Sequence, residues 1–150
     1  MTLHPAYDDM IQFASSGTLA LEIRMAKQEF IQRTGDLFET DTHFERRIAA
    51  FLEWYIFDRY VSTTPNTTPT KLYIDSVSRE LTTPQINRLR ALTKTILSLF
   101  EIQKVKNHQV TLLDLLTHKK CAVIERRRIV LEPGNVIDAR LIPYDDGFVL

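Results

Sequence analysis

The sequence predicts an α+β fold, an N-terminal helical half packed on a small C-terminal antiparallel β-sheet or barrel, and three observations carry that prediction. Apolar residues recur at helical spacing through residues 1–98. From about residue 99 the period shortens, and the chain breaks into short apolar segments separated by turn signals. The two characters are segregated along the chain, where an α/β protein would alternate them. With 150 residues and 44% apolar content, a single domain spanning 1–150 can bury a core without disulfides or metals.

The first helical pattern runs through Tyr7, Met10, Ile11 and Ala14, and a second through Leu19, Ala20, Ile23, Ala26, Phe30 and Ile31. Gly17 interrupts them, and Gly35 suits a C-terminal cap, where the backbone needs positive φ. Thr42 with Glu45 has the spacing of a capping box, and Phe44, Ile48, Phe51, Leu52, Tyr55 and Ile56 follow as one broad apolar face. Trp54, Phe57 and Val61 add a second face, so this helix is predicted to be central and buried. A Thr/Pro-rich connector leads to Thr68-Pro69, a cap and first turn, and Thr83-Pro84 repeats the signal before Ile86, Leu89, Thr93, Ile96 and Phe100. The predicted strands are Phe100–Val105, Gln109–Leu113, Cys121–Glu125, Val136–Ile142 and Phe148–Leu150, with turns at Lys106-Asn107-His108, Pro133-Gly134 and Asp145-Asp146-Gly147.

Several segments together resemble a known family. They include Arg24-Met25-Ala26-Lys27-Gln28-Glu29-Phe30, Phe51-Leu52-Glu53-Trp54-Tyr55-Ile56-Phe57-Asp58-Arg59 and Leu131-Glu132-Pro133-Gly134-Asn135-Val136-Ile137-Asp138-Ala139-Arg140-Leu141. The stretch from about residue 24 to 150 resembles an uncharacterised bacterial domain found in longer proteins, some of which carry a zinc-binding motif like the one ending the SecA translocase. The resemblance implies an architecture and no activity. No Cys-rich tail is present, so the zinc motif is not carried over, and Ser62-Thr63-Thr64-Pro65-Asn66 stands where the family has a glycine-containing connector.

Composition narrows the function classes. Nineteen basic residues balance nineteen acidic ones, which excludes a chain-wide polybasic character. Residues 104–128 nevertheless hold seven basic against two acidic residues. One cysteine, Cys121, allows neither an internal disulfide nor a thiolate zinc cage. Neither a signal peptide nor a membrane span is expected, and the protein reads as cytoplasmic. The four glycines are too scattered for a phosphate-binding loop, and no metal or cofactor is expected.

Three groups of residues invite functional readings. Asp58, beside Arg59 in an aromatic helix, could be a proton-transfer acid, but a structural carboxylate in the core with Trp54 and Phe57 is the favoured reading. His118 and Cys121 have the residue types of a base and a nucleophile; a packed cysteine and an exposed turn histidine account for them better. Lys119, Lys120, Arg126 and Arg128, with Lys104 and Lys106, form a basic group that on a small barrel could bind nucleic acid, though the strands offer no paired aromatics for base stacking. The leading expectation is a non-catalytic binding or adaptor module with a protein partner. The alternative is a nucleic-acid-binding protein using the basic β region, and an enzyme ranks last. A final edge strand would also permit homo-oligomerisation.

Overall fold

The computed structural model describes residues 6–125 and 130–150. These residues form an α+β protein with helices in the N-terminal part and a closed five-stranded barrel in the C-terminal part. Contacts gather into two compact units that part between Ile86 and Asn87, whereas the sequence pattern changes at residues 98–99.

The helical unit contains α1 (Tyr7–Ala14), α2 (Ala20–Thr34), α3 (Phe44–Glu53) and α4 (Pro69–Val77). Gly17 sits at φ +54° between α1 and the short turn leading into α2. Gly35 ends α2 at φ +89°, its N–H donating to the Ile31 carbonyl. Arg47 reinforces that end, donating to the carbonyls of Thr34 (3.1 Å) and Gly35 (2.8 Å), which the helix leaves without partners. Thr68 caps α4 through Lys71 N–H, with Pro69 in the first turn, as the sequence predicts. The Thr42–Glu45 box does not form, because α3 begins after His43 and no side chain caps it.

The Trp-bearing helix departs from the simple pattern. Beyond Glu53 it widens into a π turn over Trp54–Asp58. The wider turn changes the angle between successive side chains, so a face extrapolated from α3 loses phase. Tyr55 and Ile56 are fully buried, Trp54 and Phe57 are half-buried, and Asp58 is exposed. The core of this turn is therefore Tyr55 and Ile56 rather than Trp54, Phe57 and Asp58. Phe30 packs on Phe51 (5.5 Å between ring centroids) and on Trp54 (5.8 Å), and Phe13 meets Tyr73 edge-on.

α5 (Thr83–Ala91) precedes the barrel. Its start signal lies one residue earlier than the sequence suggests: Gln85 reaches back to accept from both the N–H and the hydroxyl of Thr82. The helical stripe predicted to reach Phe100 stops at Ala91; a short 3-10 turn over Leu92–Lys94 follows, and strand begins at Ile96.

The five strands are β1 (Ile96–Lys106), β2 (Gln109–Asp114), β3 (Lys120–Ile124), β4 (Val136–Tyr144) and β5 (Gly147–Val149). They close in the order β1-β2-β3-β5-β4. Four pairings are antiparallel, and β3 and β5 run parallel. β5 has β3 on one side and β4 on the other, so the last strand has no open edge over these residues. Phe100, Ile102, Val110, Leu112, Cys121, Val123 and Leu141 fill the barrel. A bulge in β1 shifts the register between Ile102 and Lys104, leaving Gln103 as the extra residue. Two-residue tips close the β1–β2 and β4–β5 hairpins, with Asn107 and Asp145 at positive φ. Gly134, at φ +90°, makes the turn before β4.

Candidate functional site

Buried ionisable groups are the first place to look for chemistry, and here Glu22, Tyr55 and Asp114 are tied into the framework. In the helical unit Glu22 is 3% exposed. It accepts from Arg59 (2.9 Å), from Ser62 N–H (2.9 Å) and from the Ser62 hydroxyl. Burial opposes its ionisation, but the bonds from Ser62 and Arg59 outweigh that and hold the carboxyl below its ordinary range. Arg59 also donates to Glu29 (2.9 Å), which pairs with Arg33 (2.7 Å), and Arg33 lies over the Trp54 ring. Tyr55, pushed up to about 12 by burial and by the Glu22 charge, donates to the Ala14 carbonyl (2.8 Å). The buried acid is thus Glu22, contributed by a different helix from Asp58, and its partner is the arginine that follows Asp58 in the chain.

In the barrel Asp114 is a buried carboxylate, as is Glu125 just past β3. One Asp114 oxygen accepts from the Ser98 hydroxyl (2.7 Å) and from the N–H groups of Leu116 (2.9 Å) and Thr117 (3.2 Å). The bond from Ser98 leads in holding its pKa down to about 2, and the turn donors add to it. This arrangement folds the Leu115–Lys119 turn, in which His118 has φ +58°. Because the folded value lies below the ordinary one, the stabilisation is complete above the ordinary carboxylate range and is lost as pH falls through about 2. Asp114→Asn is accordingly expected to melt lower than the parent protein at neutral pH. Melts recorded down the acid range should show that gap closing. A gap that stays constant down to pH 2 would assign the stabilisation to something other than the charge.

The other residues singled out from the sequence are not brought together into a catalytic set. Cys121 lies within the barrel core, its thiol pushed up first by burial and then by Asp114, while His118 is exposed in the turn. Among the described residues no group of three or more His, Cys, Asp or Glu could hold a metal ion. Lys119 and Lys120 are exposed; Arg126 and Arg128 lie outside the described residues.

The outer face of the barrel is where structure shows something the sequence did not. Residues of β1 alternate, with Ser98, Phe100 and Ile102 inward and Leu97, Leu99 and Glu101 outward. Leu97 is 56% exposed and Leu99 44%. Val136 of β4, opposite Glu101, is 55% exposed, and Leu116, just past β2, is 71% exposed. Half-buried Leu113 and Leu115 continue the surface on the β2 side. Beyond the bulge the outer face changes character: Lys104 and Lys106 stand opposite Thr111 and Gln109, with Ala122, Ile124 and Lys120 on β3. The sequence reading placed Leu97 in a helix. Strand parity on 97, 99 and 101 against buried 98, 100 and 102 is the signal that could have exposed this face.

Fold and surface together define an α+β protein built on a five-stranded Greek-key barrel with a leucine-rich outer face. The chain belongs to a family of unknown function, DUF7986, whose model matches residues 23–149. The match covers nearly the stretch, from about residue 24 to 150, whose segments resemble an uncharacterised domain. Comparison with curated proteins and with solved structures finds no match. No helix among the described residues is long and apolar enough to cross a membrane.

Proposed function

We propose that this protein is a non-catalytic binding module that docks a protein partner on the outer face of its barrel. The observation that carries the reading is the exposure of Leu97, Leu99 and Val136 on the outer faces of the adjacent strands β1 and β4, with exposed Leu116 just past β2. Exposed leucines scattered singly need no explanation, whereas exposed apolar residues gathered on one face suit an interaction surface. The buried Tyr55, Glu22 and Asp114 support it, their polar groups being engaged in capping, ion-pair and turn bonds that hold the fold.

A second reading rests on Lys104, Lys106 and Lys120. Five-stranded Greek-key barrels of the OB type bind oligonucleotides across strands 2 and 3. These lysines lie on the β1–β2–β3 outer face, with small Thr111 and Ala122 between them. Among the described residues of that face none is aromatic, so a nucleic acid would be held by its phosphates alone and released by modest salt.

One experiment separates the two readings. A photo-crosslinking residue is placed at Leu99 or, in a second version, at Lys120, and the protein is irradiated in its native cell. The docking reading expects a discrete protein adduct from position 99 that disappears when Leu97→Asp is added. Adducts dominated by nucleic acid and arising from position 120 would replace it with the second reading. Identical smears from both positions would remove any specific role for the leucine face.

A further inference from the structure

We infer that the occupant of the leucine face is an amphipathic helix with basic residues flanking its apolar stripe. This rests on the docking reading above and adds the partner's form and charge. The form follows from the backbone. At the centre of the patch both edges of β1 are taken. Leu99 is opposite Asp138 on β4, and its carbonyl accepts from Leu115 N–H (2.9 Å). Glu101 is opposite Val136 on β4 and Leu113 on β2. A partner strand therefore finds no free ladder to extend at this position, and what it meets is a pleated layer of side chains. An amphipathic helix laying its apolar stripe across such a layer needs no free ladder to bury leucines.

The charge follows from what interrupts the patch. Glu101 sits between Val136 and Leu113, and Asp138 beside Leu99, each with an apolar neighbour about 5 Å away across the strands. Neither carboxylate is in an ion pair with a described residue. Covering the leucines desolvates both carboxylates, which is costly unless the cover brings cations. An acidic or purely apolar helix would leave them unpaired, while a helix with Lys or Arg beside its leucine stripe would satisfy them and be selected over the others.

The test uses the full chain and two synthetic peptides of about five helical turns. Both carry the same leucine stripe, flanked by lysines in one and by glutamates in the other. Fluorescence anisotropy is expected to show the lysine peptide binding at least about tenfold more tightly. The Leu97→Ser/Leu99→Ser variant should lose that binding. Glu101→Gln/Asp138→Asn should bring the two peptides to similar affinity. Circular dichroism and melting establish that each variant is folded, which the exposure of these side chains favours. If both peptides bind the parent protein equally and both require Leu97 and Leu99, the docking surface stands and the inferred charge of its partner falls. If neither binds, or the lysine peptide still binds the leucine variant, the inference is overturned.

Discussion

Replacing Tyr55 by alanine is expected to destabilise the helical unit by about 3–5 kcal/mol, the range for emptying a large aromatic site in a core. Tyr55 is fully buried and stacks against Phe51, and its hydroxyl donates to the Ala14 carbonyl at the end of α1. Tyr55→Phe isolates the hydrogen bond and should cost about 1 kcal/mol, with a further penalty for the carbonyl left dry. Trp54→Ala should cost less than Tyr55→Ala, because Trp54 is half-buried, with its ring against Phe30 and under the partly solvated Arg33 guanidinium. Urea unfolding of the three variants checks the order. A larger loss for Trp54 than for Tyr55 would show that the π turn does not set the phase described here.

The second large effect is expected at Arg59. Arg59→Ala leaves Glu22 buried with its main cationic partner gone, and breaking such a pair costs on the order of 3 kcal/mol. The pH dependence identifies the mechanism. In the parent protein the Glu22 pKa is lowered, so its contribution is present above the ordinary carboxylate range and fades as pH falls through the folded value. Removing Arg59 takes away two of the influences that lower that pKa, so it rises relative to the parent's, and the variant's deficit should narrow on acidification as Glu22 takes up a proton at higher pH than it does in the parent. Glu22→Gln in the Arg59→Ala background should rescue stability at neutral pH. A deficit that is independent of pH and unrelieved by Glu22→Gln would mean that Arg59 acts by packing alone.

The parts legible in the sequence are those set by local period. All five strands were marked by short apolar runs between turn signals, and three of the turns carry the positive φ values their residues favour. Gly35 and Thr68-Pro69 worked as caps because they act on neighbouring backbone. What period cannot show is burial that depends on a distant partner. The buried stripe of α2 passes through Leu19, Glu22 and Ala26, so a charged residue occupies a core position that only Arg59 and Ser62, about forty residues on, make tolerable. Glu22, Ala26, Glu29 and Arg33 at helical spacing were the available sign that this face is ionic. The leucine face was hidden for a different reason. Leu92, Ile96 and Leu97 continue the spacing of α5, and only the break after Ala91 shows that the last two belong to a strand.

The extra residue in β1 has a wider consequence. A pleated strand presents odd and even positions to opposite sides, so inserting one residue is a frameshift in space. Before Gln103 the odd positions Leu97, Leu99 and Glu101 look outward; after it the even positions Lys104 and Lys106 do. One continuous strand thereby writes two unlike texts on the same wall, an oily acidic one and a cationic one, with a single residue as the punctuation between them. Pleat Gln103 regularly into the ladder instead of bulging it, and the second text turns to the inside: Gln103 would take the place opposite Thr111, and Lys104 would stand opposite Val110, aimed at the barrel interior. The bulge, and not only the residues around it, therefore decides which side chains β1 displays beyond Ile102.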